Sequence, residues 1–117
     1  MTEYYVRQHS DLAIIDLHGK LDAFAGDIWD RACARIGQDV KAILLNFEGV
    51  DYMSSTGIAL MIELIVQATK VGRRLLACGL SDHYVKIFQV ARLADYISVF
   101  PDEAAALAGC RESQHQV

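Results

Sequence analysis

Residues 50–64 read VDYMSSTGIALMIEL. A polar opening gives way to a strongly apolar run, and three consecutive hydroxyls, Ser54, Ser55 and Thr56, stand where the run begins. On the amino side lies KAILLNF (41–47), a continuous apolar run too short for a helix, which predicts a central strand buried on both faces. EGVDYMSS then reads as a turn. On the carboxyl side apolar residues recur at helical spacing as far as Val71, with Gly72 as the stop, so a helix is expected over 55–71. The hydroxyls therefore fall at a helix amino terminus, where the first four backbone N–H groups lack partners and Ser or Thr commonly supplies one. Capping accounts for one hydroxyl. It does not account for three, followed by the poor helix former Gly57.

A helix start also stabilises a phosphate, because free N–H donors and the macrodipole both favour an anion there. Either the site binds the phosphate of a ligand, or one of its own serines is phosphorylated. Neither G-x-x-x-x-G-K-[ST] nor G-x-G-x-x-G occurs, which favours the second option. Projected at about 100° per residue, the helix places Ile58, Met61, Ile62, Ile65 and Thr69 on a stripe expected to face the sheet. Glu63, Gln67 and Lys70 form a polar stripe. Leu60, Leu64 and Val71 make an apolar flank, packed by a neighbouring helix or open to a partner.

Working outward, RRLLACG (73–79) predicts a second buried strand, Ser81 or Asp82 caps a helix through about Arg92, and YISVF (96–100) is a short strand. Pro101 with Asp102 and Glu103 starts a last helix to about Ala108. Upstream, YYVRQ (4–8) and LAIIDLH (12–18) form an antiparallel hairpin, Gly19 breaks the strand, and Asp22 caps a helix over 23–37 carrying Phe24, Ile28, Ala32 or Cys33, and Ile36. Gly37 stops that helix. The expected fold class is α/β: one domain over 1–110 with a mixed sheet, antiparallel at its amino end and parallel later, and about four helices. Residues 111–117 are expected to be a flexible tail.

The chain has 117 residues, 53% apolar and 22% charged, as in a folded globular domain. A net charge of −4 argues against nucleic-acid binding, which needs a basic face, and the pair Arg73-Arg74 reads as a solvated strand start. MTEYYVRQHS lacks the apolar core of a signal peptide, and the apolar run Ile58–Ile62 is far short of the ~20 residues that span a bilayer. A cytoplasmic protein is expected, with no membrane contact. Cys33, Cys78 and Cys110 read as reduced thiols, the first two buried, and His9, His18, His83 and His115 show no ligand spacing, so neither metal nor cofactor is expected.

With that order in place, residues 46–100 resemble the STAS domain in its free-standing form, the anti-sigma-factor antagonists. In that family a buried strand leads through a turn of the type D-S-[ST]-G-[LI]-x into the second helix. The LHGKLDAF opening (17–24) extends the resemblance over most of the chain. It implies that Ser55, followed by Thr56 and Gly57, is phosphorylated by a partner kinase of the histidine-kinase-like ATPase type, often itself the anti-sigma factor. It also implies reversal by a PP2C-type phosphatase. The unmodified form would bind the kinase and free its client. Ser54 stands where Asp is common, which makes it a rival acceptor. The expected partner-binding set is Asp51, Met53, Ser54, Ser55, Thr56, Gly57, Leu60 and Leu64. An enzyme reading of Ser54 or Ser55 lacks G-x-S-x-G, and Asp82 and His83 are expected to cap the next helix or face solvent. A non-catalytic scaffold or small-ligand sensor is the alternative function. The client and the oligomeric state stay open.

Overall fold

The computed structural model describes residues 2–9, 11–22, 30–32, 34–37 and 39–115. Five strands, β1 (Thr2–His9), β2 (Leu12–Leu21), β3 (Ala42–Met53), β4 (Arg74–Cys78) and β5 (Ile97–Phe100), lie in the order β1-β2-β3-β4-β5. β1 and β2 form the expected antiparallel hairpin, and the remaining pairs are parallel. Three helices are labelled here, α1 (Ser55–Val71), α2 (Asp82–Val90) and α3 (Glu103–His115). Residues 30–32 and 34–35 are also helical, within the helix expected over 23–37. Phe24, Ile28 and Cys33, and the junction that Asp22 was expected to cap, fall outside the described residues.

Because the four parallel strands follow one another in chain order across the sheet, crossovers of one hand put their connecting helices on one face. The main core lies there: Ala13, Ile15 and Leu17 of β2 and Ile43, Leu45 and Phe47 of β3 meet Met61, Leu64 and Ile65 of α1 and Phe88 of α2. Alternate residues Leu12, Ile14, Leu44 and Leu76 point the other way and pack under Ala106 of α3. Burial on both faces is why 42–45 reads as an unbroken apolar run. Among the described residues no helix is long and apolar enough to cross a membrane.

Two strands exceed their sequence-based limits. Gly19 does not end β2. It adopts φ 90° at a register irregularity, and the strand resumes to pair Lys20 with Tyr52 and Leu21 with Met53. The polar segment expected as a turn before the hydroxyls is therefore strand as far as Met53. α2 ends at Val90, and Arg92 at φ 64° turns the chain into a 3-10 turn, Leu93–Asp95. α3 begins as expected, with the Asp102 carboxylate accepting from Ala105 N–H at 2.8 Å, but continues to His115, through most of the expected tail. Arg73 is not merely solvated: it donates to the carbonyls of Val40 and Gly37 at 3.0 Å each. Cys78 is a buried free thiol, and burial together with the carboxylates of Glu48 and Glu103 pushes its pKa up to about 12.

At the end of the smaller core the even positions turn polar. Arg7 of β1 holds Asp16 of β2 bidentately at 2.7 and 2.9 Å and also meets Glu103 of α3, while Asn46 donates to Asp16 at 2.9 Å. Burial alone would raise the Asp16 carboxyl, but the hydrogen bonds from Arg7 and Asn46 outweigh it and hold the group below its ordinary value. Its stabilising effect is thus complete above the unfolded-state value, about 4, and is lost as pH falls through the folded-state value. Asp16→Asn should lower the unfolding free energy by about 1–2 kcal/mol near neutral pH. In urea titrations the deficit should shrink below about pH 4; a deficit independent of pH would mean that the carboxylate's charge is not what stabilises.

Candidate functional site

The site is built where the end of β2, the end of β3 and the start of α1 converge. Ser54 N–H donates to the Leu21 carbonyl at 2.9 Å, and the Ser54 hydroxyl donates to the same oxygen at 3.3 Å. That hydroxyl also accepts from Gly57 N–H at 3.1 Å, so Ser54 is the helix cap. Its single proton and one acceptor position are both in use. Ser55 and Thr56, the first two helical residues, are exposed, and no hydrogen bond among the described residues engages either hydroxyl. No acidic residue occupies the first turn, so the helix's own side chains do not offset its positive end beside Ser55, whereas Lys70 in the last turn complements the negative end.

Gly57 faces the sheet. A Cβ there would lie 2.4 Å from the Leu21 carbonyl oxygen and 3.1 Å from Met53 Cγ. The glycine therefore serves close approach of helix to strand. It also sets the rotation of the helix. The buried stripe is Gly57, Met61, Leu64, Ile65 and Ala68, and Ile62 and Val66 turn outward, each 47% exposed. Expected partner-contact residues divide accordingly. Asp51, Ser55 and Thr56 are exposed and Ser54 is half-buried. Met53, Gly57 and Leu64 are core residues, and Leu60 is half-buried against the core, so the Leu60–Leu64 flank is not an open surface. The stripe that the projection at about 100° per residue turned toward the sheet included Ile62 and Thr69, both of which the structure exposes. Centring it on the small residues Gly57 and Ala68 would have given the observed rotation.

One contributor was not read from the sequence. The Tyr84 hydroxyl of α2 accepts from Met53 N–H at 2.8 Å and approaches the Met53 carbonyl at 3.4 Å, clamping the last residue of β3 directly before the hydroxyls. His83 is exposed and packs edge-on against Tyr84 with 5.0 Å between ring centres. No metal-binding group of His, Cys, Asp or Glu occurs among the described residues. Gly57→Ala would gain up to about 1 kcal/mol of helix propensity but must push the helix off a backbone oxygen. A net loss of about 1–3 kcal/mol is expected in chemical denaturation, and a variant as stable as the parent would show that the contact relaxes freely.

The STAS domain family model matches residues 4–106. An anti-sigma-B factor antagonist of Staphylococcus aureus is 27% identical over 86 residues, 73% of this chain and 80% of that protein. Among solved structures, the anti-sigma factor antagonist SpoIIAA in its unphosphorylated form aligns with a TM-score of 0.70 at 18% identity, covering 98% of this chain and all of that one. The Bacillus protein SpoIIAA in its phosphorylated form aligns with a TM-score of 0.67 at 24% identity, over 88% of this chain and 96% of that one. The match spans both sheet edges and the serine-bearing helix start, and the chain belongs to the STAS domain family.

Proposed function

We propose that this protein is a cytoplasmic anti-sigma-factor antagonist, a binding switch and not an enzyme, whose unmodified form engages an anti-sigma factor and whose Ser55 is the phosphate acceptor. The observation that carries this reading is the division of labour between adjacent serines. The Ser54 hydroxyl is committed to Leu21 and Gly57, while the Ser55 hydroxyl projects exposed from the first helical position. Esterifying Ser54 would remove its proton from the Leu21 contact and displace the cap. Esterifying Ser55 disturbs neither. The phosphorylated form of the relative SpoIIAA supports the same chemistry.

The partner is an anti-sigma factor that is also a kinase of the histidine-kinase-like ATPase type, and a PP2C-type phosphatase restores the free serine. Phosphorylation adds a charge of about −1.5 to −2. At the helix amino terminus that charge is stabilised by roughly 0.3–1 kcal/mol, so the domain stays folded. Against a partner the effect is opposite. A dianion about 6 Å from one carboxylate, at an effective dielectric of about 40, is repelled by about 3 kcal/mol, roughly a hundredfold in affinity. The switch is local and requires no refolding.

Incubation with the cognate kinase and ATP, followed by phosphopeptide mapping, tests the assignment: label belongs on Ser55, and label confined to Ser54 would overturn it. Ser55→Ala should bind the partner constitutively, and Ser55→Asp, with about half the charge of the phosphate, should keep its melting temperature while losing roughly tenfold in affinity. Ser54→Ala should lose about 1 kcal/mol of stability through the missing cap yet still be phosphorylated.

A further inference from the structure

The outward turn of Ile62 and Val66 leaves an apolar face on α1. Ser55, Ala59, Ile62, Val66 and Thr69 follow one another at alternating spacings of four and three, and all five are exposed. That is the spacing by which a helix presents a seam to a second helix. Over this seam α1 advances about 21 Å. Beside its carboxyl half lies a groove of about 620 Å³. Buried Ile65 and Leu93 form its floor, Ile62 and Val66 one wall, and Ala91 and Tyr96 the other. The second wall exists because Arg92, in the left-handed region, turns the chain at the end of α2 and brings Tyr96 out, 67% exposed.

The groove has a charge as well as a shape. Lys70 and Arg92 both line it, and no lining residue is acidic. Arg92 meets Asp95 at 3.3 Å, but both side chains of that pair are largely exposed, and such a pair holds a cation only weakly. Arg73 and Arg74 line the adjoining depression together with Tyr96. In a protein of net charge −4, this is a locally basic apolar trough.

We infer that the groove between α1 and the Ala91–Tyr96 turn receives an amphipathic helix of the partner, about three to four turns long, whose apolar i, i+3/i+4, i+7 face covers Ile62 and Val66 and whose flanking carboxylates meet Lys70 and Arg92. The seam is continuous with Ser55, so the helix docks beside the modification site. The inference rests on reading α1 as the partner-facing element. It adds a second anchor and gives the partner's chemistry there: apolar with acidic flanks.

A fluorescein-labelled helical peptide of about 18 residues, with Leu at the seam positions and Glu beside them, tests this against its Lys-for-Glu counterpart by anisotropy and by amide chemical shifts of the full chain. Saturable binding of the Glu peptide is expected, roughly tenfold tighter than the Lys peptide, with shifts concentrated at Ile62, Val66, Lys70, Arg92 and Tyr96. Ile62→Glu should abolish it. The double variant Lys70→Glu, Arg92→Glu should reverse the preference toward the Lys peptide, which keeps the test decisive if Ile62→Glu folds poorly. Equal binding of both peptides, shifts elsewhere on the surface, or no saturation would overturn the inference. So would a dimer in sedimentation that Ile62→Glu dissociates, since the occupant would then be a second copy. Saturable uptake of dodecanoate into the groove with no peptide binding would assign it to a small amphiphile instead. Failure of the Ser55 assignment would leave peptide binding intact, and failure here would leave Ser55 labelling intact.

Discussion

The carbonyl oxygen of Leu21 fixes how α1 meets the sheet. It accepts from both the backbone and the hydroxyl of Ser54, and it lies so near Gly57 that no side chain fits between. Reaching it requires β2 to continue past Gly19, and that continuation in turn draws β3 out to Met53. The helix start is thus clamped from one side by β2 and from the other by Tyr84, which holds Met53. A residue emerging from such a start has a defined direction. The site can therefore present one side chain to an incoming protein without first paying to order a loop.

This arrangement divides the local roles among neighbouring residues. Ser54 completes the fold, Gly57 permits the approach, and Ser55 is left with an exposed oxygen at the positive end of a helix dipole. Charge added at that oxygen meets a favourable local field, so the folded domain tolerates it. The same charge is unfavourable at an interface that excludes water, because the partner's groups lose the solvent that would screen it. On the proposed reading, fold and switch can thus be tuned independently.

Much of this was legible in the sequence, for a physical reason. KAILLNF and RRLLACG carry the unbroken apolar runs Ala42–Leu45 and Leu75–Cys78 because their strands are covered on both faces, and the hydroxyls before the long apolar stretch mark a cap. Gly72 ends α1 as read, adopting φ 73°. What escaped depends on tertiary contact. VDYM carries polar residues yet is strand, because β2 resumes beyond its irregularity to pair with it. Leu64 and Ile62 are equally apolar, and only the close approach at Gly57 decides which faces the core. Tyr84 lies thirty-one positions from Met53, and no local pattern announces that hydrogen bond.

Arg7 joins the first strand to the last helix through Asp16 and Glu103, partners nine and ninety-six positions away. During synthesis Leu12, Ile14, Leu44 and Leu76 wait for Ala106 to cover them. At about 5–20 residues per second, that sheet surface stays bare for several seconds after β1 and β2 leave the ribosome. A chain that stops short of Ala106 therefore leaves this apolar layer of the sheet uncovered.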